Sequence, residues 1–213
     1  MAFAQPFAYV TNAIDGTVSV IDTSTNTVVA TMGVGSGPTG VAVTPDGSFV
    51  YVANLNSANV SVIETSTNTV MDTVGVVGGP AGVAVTPDGS FVYVTNEILA
   101  NVLVIDTSTN MVVATVGAGC QPLGVAVTPD GSFVYVANFC SDSNNVSVID
   151  TSTNTVVDTV EVGNGPYALG LFIGPPLQPP RAIPTMSEWG LIALAMVIGI
   201  IGFIVFRRRR ITD

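Results

Sequence analysis

No histidine occurs anywhere in the 213 residues. That absence excludes a thiol–imidazole nucleophile and a Cys/His zinc site, and it removes the ligand that haem or copper would use. Basic residues are nearly as scarce. No Lys or Arg precedes Arg181, whereas every acidic residue except Glu188 and Asp213 lies between Asp15 and Glu161. A region with carboxylates and no cations cannot displace counterions from a phosphate backbone, so nucleic acid is excluded as a partner. It also has no Lys or Arg to stabilise an oxyanion. Cysteine is limited to two residues, with no Cys-x-x-Cys-His attachment site. Charged residues make up only 9% against 48% hydrophobic, a balance too apolar for disorder.

The acid that is present fits a solvated face in a salty or cation-rich setting, with a Ca²⁺ or cationic-partner surface as the alternative. No stretch has the alternating Asp/Asn spacing of a calcium loop.

What the chain does have is repetition. Pro129-Asp130-Gly131-Ser132-Phe133-Val134-Tyr135-Val136-Ala137-Asn138 recurs closely at 45–54 and 87–96, and Phe7-Ala8-Tyr9-Val10-Thr11-Asn12 opens the series. Tyr9, Tyr51, Tyr93 and Tyr135 therefore stand 42 residues apart. Each period reads as four short strands: Gly-Val-Ala-Val-Thr, the Tyr-Val strand, Val-Ser-Val-Ile and Thr-Val-Val. Alternation of apolar and small polar residues, as in Asn59-Val60-Ser61-Val62-Ile63-Glu64, is the pattern of a half-buried strand. Thr-Pro-Asp-Gly-Ser supplies a preset φ, a side-chain cap and a residue tolerant of positive φ, hence a hairpin turn. Asp22-Thr23-Ser24-Thr25-Asn26 supplies a second, through side-chain bonds to nearby N–H groups.

Four strands in about 42 residues match one propeller blade, and no cap for a solenoid is visible. The expected fold is all-β: a small propeller of four four-stranded blades over residues 7–173, with a C-terminal transmembrane helix. The chain enters at the second strand of a blade and ends on another first-type strand, Ala168-Leu169-Gly170-Leu171-Phe172-Ile173. That strand could complete the first blade and close the ring like velcro, removing exposed edges. The alternative is an open arc that joins a second copy into an eight-bladed ring, a homodimer.

Tyr9-Val10-Thr11-Asn12 and Tyr93-Val94-Thr95-Asn96, with Tyr-Val-Ala-Asn at 51 and 135, resemble the YVTN β-propeller repeat family of surface-layer and other exported proteins. The Val-Ser-Val-Ile-Asp-Thr and Thr-Pro-Asp-Gly elements carry the same resemblance. Departures are Val102-Leu103-Val104-Ile105, Glu64 in place of aspartate, and four repeats where seven are frequent in the family. The wider superfamily includes redox enzymes, whose histidines and haem attachment this chain lacks.

Cys120 precedes the first strand of a repeat, Cys140 follows its second, and both stand ten residues from Asp130 at the hairpin tip. In an antiparallel hairpin such positions face each other. A disulfide is expected, compatible with an exported setting.

Residues 174–182 are a Pro-rich spacer. Trp189 to Phe206 is an uncharged run that as a helix would rise roughly 27 Å, enough to cross a bilayer core. Arg207, Arg208, Arg209 and Arg210 would then face the cytoplasm and leave the propeller outside. Ile183, Pro184, Thr185, Ser187, Glu188, Trp189 and Gly190 resemble the IPTL-CTERM sorting signal, related to the PEP-CTERM class, with Met186 where leucine is usual. The resemblance implies a sortase-like processing enzyme and a transit anchor; a plain single-pass anchor is the alternative. Residues 1–6, with Ala2-Phe3-Ala4, read either as the end of a leader or as an ordinary tail.

Asp22, Glu64, Asp106 and Asp150 recur at one repeat position, and Asp46, Asp88 and Asp130 at another. All sit in turns and are expected to be caps, as are Asn12, Asn54, Asn96 and Asn138 at strand ends. Asn59-Val60-Ser61 and Asn145-Val146-Ser147 match the glycosylation sequon. No catalytic, cofactor-binding or metal-binding residue is assigned. The expected role is non-enzymatic: an exported, cell-surface or extracellular propeller for adhesion, surface-layer or matrix structure, or protein interaction. A surface protein or a glycan would meet its loops, notably Phe139–Asn145. The alternative is a periplasmic or surface module binding a small ligand or Ca²⁺.

Overall fold

The computed structural model describes residues 7–140, 144–168, 170 and 172–174. Among them are four antiparallel sheets in chain order. Blade 1 holds β1 (Phe7–Asn12), β2 (Thr17–Asp22) and β3 (Thr27–Gly33); blade 2 holds β4 (Pro38–Val43), β5 (Phe49–Asn54), β6 (Asn59–Glu64) and β7 (Thr69–Gly75). Blade 3 holds β8 (Pro80–Val85), β9 (Phe91–Asn96), β10 (Asn101–Asp106) and β11 (Met111–Gly117); blade 4 holds β12 (Pro122–Val127), β13 (Phe133–Asn138), β14 (Asn145–Asp150) and β15 (Thr155–Glu161).

The repeat fixes register as well as order. Tyr9 pairs with Val20, Tyr51 with Val62, Tyr93 with Val104 and Tyr135 with Val148. The outer strand of every blade carries one bulge at one place, with Val29, Met71, Val113 and Val157 the extra residues, opposite Val20–Ile21, Val62–Ile63, Val104–Ile105 and Val148–Ile149 of the neighbouring strand. A bulge there adds twist, which lets successive blades fan around an axis.

Each Thr-Pro-Asp-Gly hairpin closes through its own side chains. In blade 2, Thr44 Oγ1 donates to Asp46 Oδ1 at 2.6 Å and accepts from Phe49 N at 3.0 Å, while Gly47 takes φ 74. The second hairpin uses Asp22 Oδ1 to accept from Ser24 N at 2.7 Å, and Asn26 turns the chain at φ 54. Asn68, Asn110 and Asn154 hold the same left-handed backbone, which asparagine tolerates better than most residues.

Two expectations are corrected. Blade 1 has three strands among the described residues, not four, and the inner edge of β1 has no partner strand. Of the closing strand expected at 168–173, the described residues Ala168, Gly170, Phe172 and Ile173 all lie outside any strand. Packing instead runs β1 on β4, β4 on β8 and β8 on β12, and the carbonyl of Ala168 comes up against Gly124 in blade 4. Closure needs the rotations of all blades to sum to a full turn, and no local pattern encodes that sum.

The chain divides into two compact units, Met1–Pro175 and Pro176–Asp213. The second unit lies outside the described residues, and with it the expected transmembrane helix, the sorting motif and the arginine cluster. Among the described residues no helix is long and apolar enough to cross a membrane.

Candidate functional site

The inner strands β4, β8 and β12 converge on a groove of about 650 Å³ whose lining runs from Thr11 to Gly170. Their small residues are a steric necessity. A Cβ at Gly40 would fall on the carbonyl of Ala81, and one at Gly82 on the carbonyl of Leu123. Threonines lash neighbouring blades together at the same level. Thr11 Oγ1 donates to Thr39 O at 2.8 Å, Thr39 Oγ1 to Ala81 O at 3.0 Å, and Thr95 Oγ1 to Leu123 O at 3.0 Å. The groove's polar atoms are thus largely spent on holding blades together. Among the described lining residues Glu97 is the one carboxylate and Tyr167 the one phenol.

Farther from the axis a second set of bonds spans the blades. Tyr51 Oη donates to Asn110 Oδ1 and Tyr93 Oη to Asn154 Oδ1, each at 2.9 Å, reaching the left-handed asparagine of the next blade's turn. Burial, helped by Asp106 and Asp72, pushes the Tyr51 hydroxyl up to about 12, and burial with Asp150 and Asp88 does the same for Tyr93.

The turn aspartates accept hydrogen bonds that hold their carboxyls below the usual range. Thr44, then Ser48, lowers Asp46 to about 2; Thr86 lowers Asp88 and Thr128 lowers Asp130. Ser24, Ser108 and Ser152 do so for Asp22, Asp106 and Asp150. At the equivalent turn of blade 2, Glu64 Oε2 accepts from Thr67 Oγ1 at 2.8 Å. Among the described residues no three His, Cys, Asp or Glu side chains converge to hold a metal ion.

The strand-end asparagines are not the uniform backbone caps expected. Asn12 Nδ2 donates to Thr17 and Ser19, Asn54 Nδ2 to Asn59 and Ser61, and Asn138 Nδ2 to Asn145 and Ser147. Only Asn96 caps backbone: its Oδ1 accepts from Gly79 N and Leu99 N, and its Nδ2 donates to Val77 O. The cause is Leu103, which stands where the other blades have serine. Without that hydroxyl Asn96 turns to the loop and the buried unpartnered oxygen is Asn101 Oδ1, where in the serine-bearing blades 2 and 4 it is Asn54 Oδ1 and Asn138 Oδ1. The sequence departure at 102–105 was the available signal.

Cys120 and Cys140 are joined, with Cα atoms 5.4 Å apart. Beside them the rings of Phe139 and Tyr167 meet edge to face, centroids 5.6 Å apart, and Asn144 Oδ1 accepts from Gly165 N at 3.1 Å. Residues 141–143 of that insert lie outside the described residues.

Comparison with known proteins agrees with this architecture. Residues 1–96 match the family described as YNCE-like beta-propeller, residues 70–168 the family described as Lactonase, 7-bladed beta-propeller, and residues 181–210 the IPTL-CTERM motif. No curated protein matches the chain. Among solved structures, the Kuenenia stuttgartiensis hydrazine synthase is similar at 29% identity and TM-score 0.69, covering 72% of this chain and 45% of that one. A functionally unknown protein from Desulfotomaculum acetoxidans DSM 771 is similar at 22% identity and TM-score 0.63, covering 73% and 53%. The dihydro-heme d1 dehydrogenase NirN, in complex with DHE, is similar at 20% identity and TM-score 0.62, covering 76% and 37%. The chain spans about half the length of these structures or less.

Proposed function

We propose that this protein is an exported, membrane-associated β-propeller that works by contact rather than by chemistry, in adhesion, in surface-layer or matrix structure, or in binding other surface proteins. The observation that carries this reading is on the outer strands. Val28 and Val29, Val112 and Val113, and Val156 and Val157 are exposed at equivalent places in three blades, joined by Met71 in blade 2. Exposed apolar side chains on edge strands are surfaces that seek a partner; in blades 2 and 4 they stand beside the exposed carboxylates of Asp72 and Asp158. The IPTL-CTERM match supports export and membrane association, and the Tyr-Val-Thr-Asn strands support the surface-layer type of propeller.

The proposed topology leaves the propeller outside and Arg207–Arg210 in the cytoplasm. A sortase-like enzyme acts on the motif at Ile183–Gly190, which makes the anchor transient. Deleting residues 183–213 tests this. The propeller should then leave the membrane fraction, and cells should lose it from their surface. Unchanged fractionation would contradict the reading. What supports contact over chemistry is that the described lining of the axial groove offers Glu97 and Tyr167 without paired acids, imidazole or cation.

A second reading rests on the groove itself, whose 650 Å³ lie in the usual range of small-ligand sites. A ligand- or Ca²⁺-binding module is the corresponding function. Calorimetry and metal analysis on the purified protein separate the two, because the contact reading expects neither bound ion nor small-molecule heat.

A further inference from the structure

The junctions between blades share one plan. The exit face of blade 2, with Tyr51, Val60, Val62 and Val74, packs on the entry face of blade 3, with Val92, Val94, Leu103 and Ile105. Tyr93, Val102, Val104 and Val116 pack in the same way on Val134, Val136 and Ile149 of blade 4. Between blades 1 and 2, Tyr9, Val18 and Met32 meet Val50, Val52 and Ile63.

The two outermost faces carry the same residue types uncovered. On the entry face of blade 1, Val10 is 45% exposed, where Val52, Val94 and Val136 are 0%. On the exit face of blade 4, Val160 is 43% exposed, where Val74 is 6% and Val116 is 5%. Ile21, Tyr135 and Val146 are half-buried, while Ile63, Ile105, Tyr51, Tyr93, Val60 and Val102 are fully buried. The polar latch, made at the two junctions that follow blades 2 and 3 and absent between Tyr9 and Asn68 at the first, is also unmade on the outermost faces. Among the described residues the Tyr135 hydroxyl and the Asn26 side chain have no bond, although Asn26 holds the same left-handed turn as Asn110 and Asn154.

We propose that these faces dock a second copy of this chain: the exit face of blade 4 in each copy seats on the entry face of blade 1 in the other. Tyr135 then donates to Asn26 of the partner subunit, and two identical junctions close a ring of eight blades. The occupant follows from the repeat. Each uncovered face already meets its complement three times inside the chain, so the second copy supplies the surface that sequence and packing have matched to it. A head-to-tail contact closes when its rotation fits and otherwise runs on as a filament; with four blades in each copy, a two-copy ring holds eight. Both faces are apolar while each copy is acidic, so screening the repulsion favours association. None of this depends on where the protein is displayed.

The test uses the full chain in a mild detergent, weighed by native mass spectrometry at rising protein and salt concentrations. A two-copy mass whose share grows with salt is expected. Val10→Lys and Val160→Glu should each weaken the pairing at least tenfold, and the doubly substituted chain, which places Lys opposite Glu at both junctions, should recover it. Ile14→Lys, at a fully exposed position, should change nothing. Both altered valines are partly exposed, and circular dichroism verifies that the single variants fold. A monomer throughout, a ladder of longer assemblies, or a dimer indifferent to Val10 and Val160 (one made by the C-terminal segment) would each overturn the proposal.

Discussion

The Tyr51 hydroxyl donates to the Asn110 side chain at 2.9 Å across 59 residues of chain, tying one blade's second strand to the next blade's turn. Tyr93 and Asn154 repeat the bond. Tyr9 and Asn68 occupy the same positions at the first junction but are not joined, and Asn68 Oδ1 is buried without a partner. Tyr51→Phe and Tyr93→Phe should therefore each cost about 1 kcal/mol, the net worth of a hydrogen bond. Tyr9→Phe should cost less. Denaturant unfolding of the three variants measures the difference.

These phenols also set an alkaline limit. Their folded values, about 12, lie above the unfolded value near 10, so the native state prefers the neutral form. The stabilisation is complete below about pH 10 and lost as pH rises towards 12. At the acid end the sign reverses. Asp46, held at about 2, contributes stability above about pH 4 that disappears as pH falls to 2. Unfolding midpoints against pH should form a plateau between these limits, and Tyr51→Phe/Tyr93→Phe should flatten only the alkaline side.

Leu103 supplies a prediction in which two effects compete. It is 7% exposed in the apolar cluster between blades 2 and 3, so Leu103→Ala should cost about 2–5 kcal/mol. Leu103→Ser removes the same volume but restores the hydroxyl that Asn12, Asn54 and Asn138 use. Asn96 can then return to its strand and satisfy Asn101, its own Oδ1 becoming unpaired as those of Asn54 and Asn138 are, so the gain is the new bond to the serine hydroxyl. The serine variant should be the more stable of the two, by about 1 kcal/mol; the reverse order would break the link between residues 96 and 103.

Reducing Cys120–Cys140 should lower stability by about 3 kcal/mol, as for other loops of roughly this length. It should also loosen the contact between Phe139 and Tyr167. Melting curves with and without reductant, and thiol counting on the native protein, measure both.

How much of this was legible from sequence depended on how local each feature is. The period of Tyr9, Tyr51, Tyr93 and Tyr135 carried the strands and both hairpin turns, because turn chemistry and alternation act within a few residues. The positions of Cys120 and Cys140 about Asp130 place them opposite each other, and their Cα atoms are 5.4 Å apart. The latch from Tyr51 to Asn110 was not legible, since it joins a strand and a turn that only the stacking of blades brings together. Nor was the turned amide of Asn96, which answers to a residue on the neighbouring strand. Ala168 and the residues after it read as an inner strand, yet whether a strand forms there depends on the edge it would meet. The tail motif was legible as a pattern and coincides with the matched IPTL-CTERM region at 181–210.

The reading of this chain as an exported contact protein is tested most directly by labelling Ile14→Cys, a fully exposed loop position, with a membrane-impermeant maleimide in whole cells and in lysed ones. The account predicts labelling without breaking the cytoplasmic membrane. Labelling that appears only after lysis would place the propeller in the cytosol and contradict it.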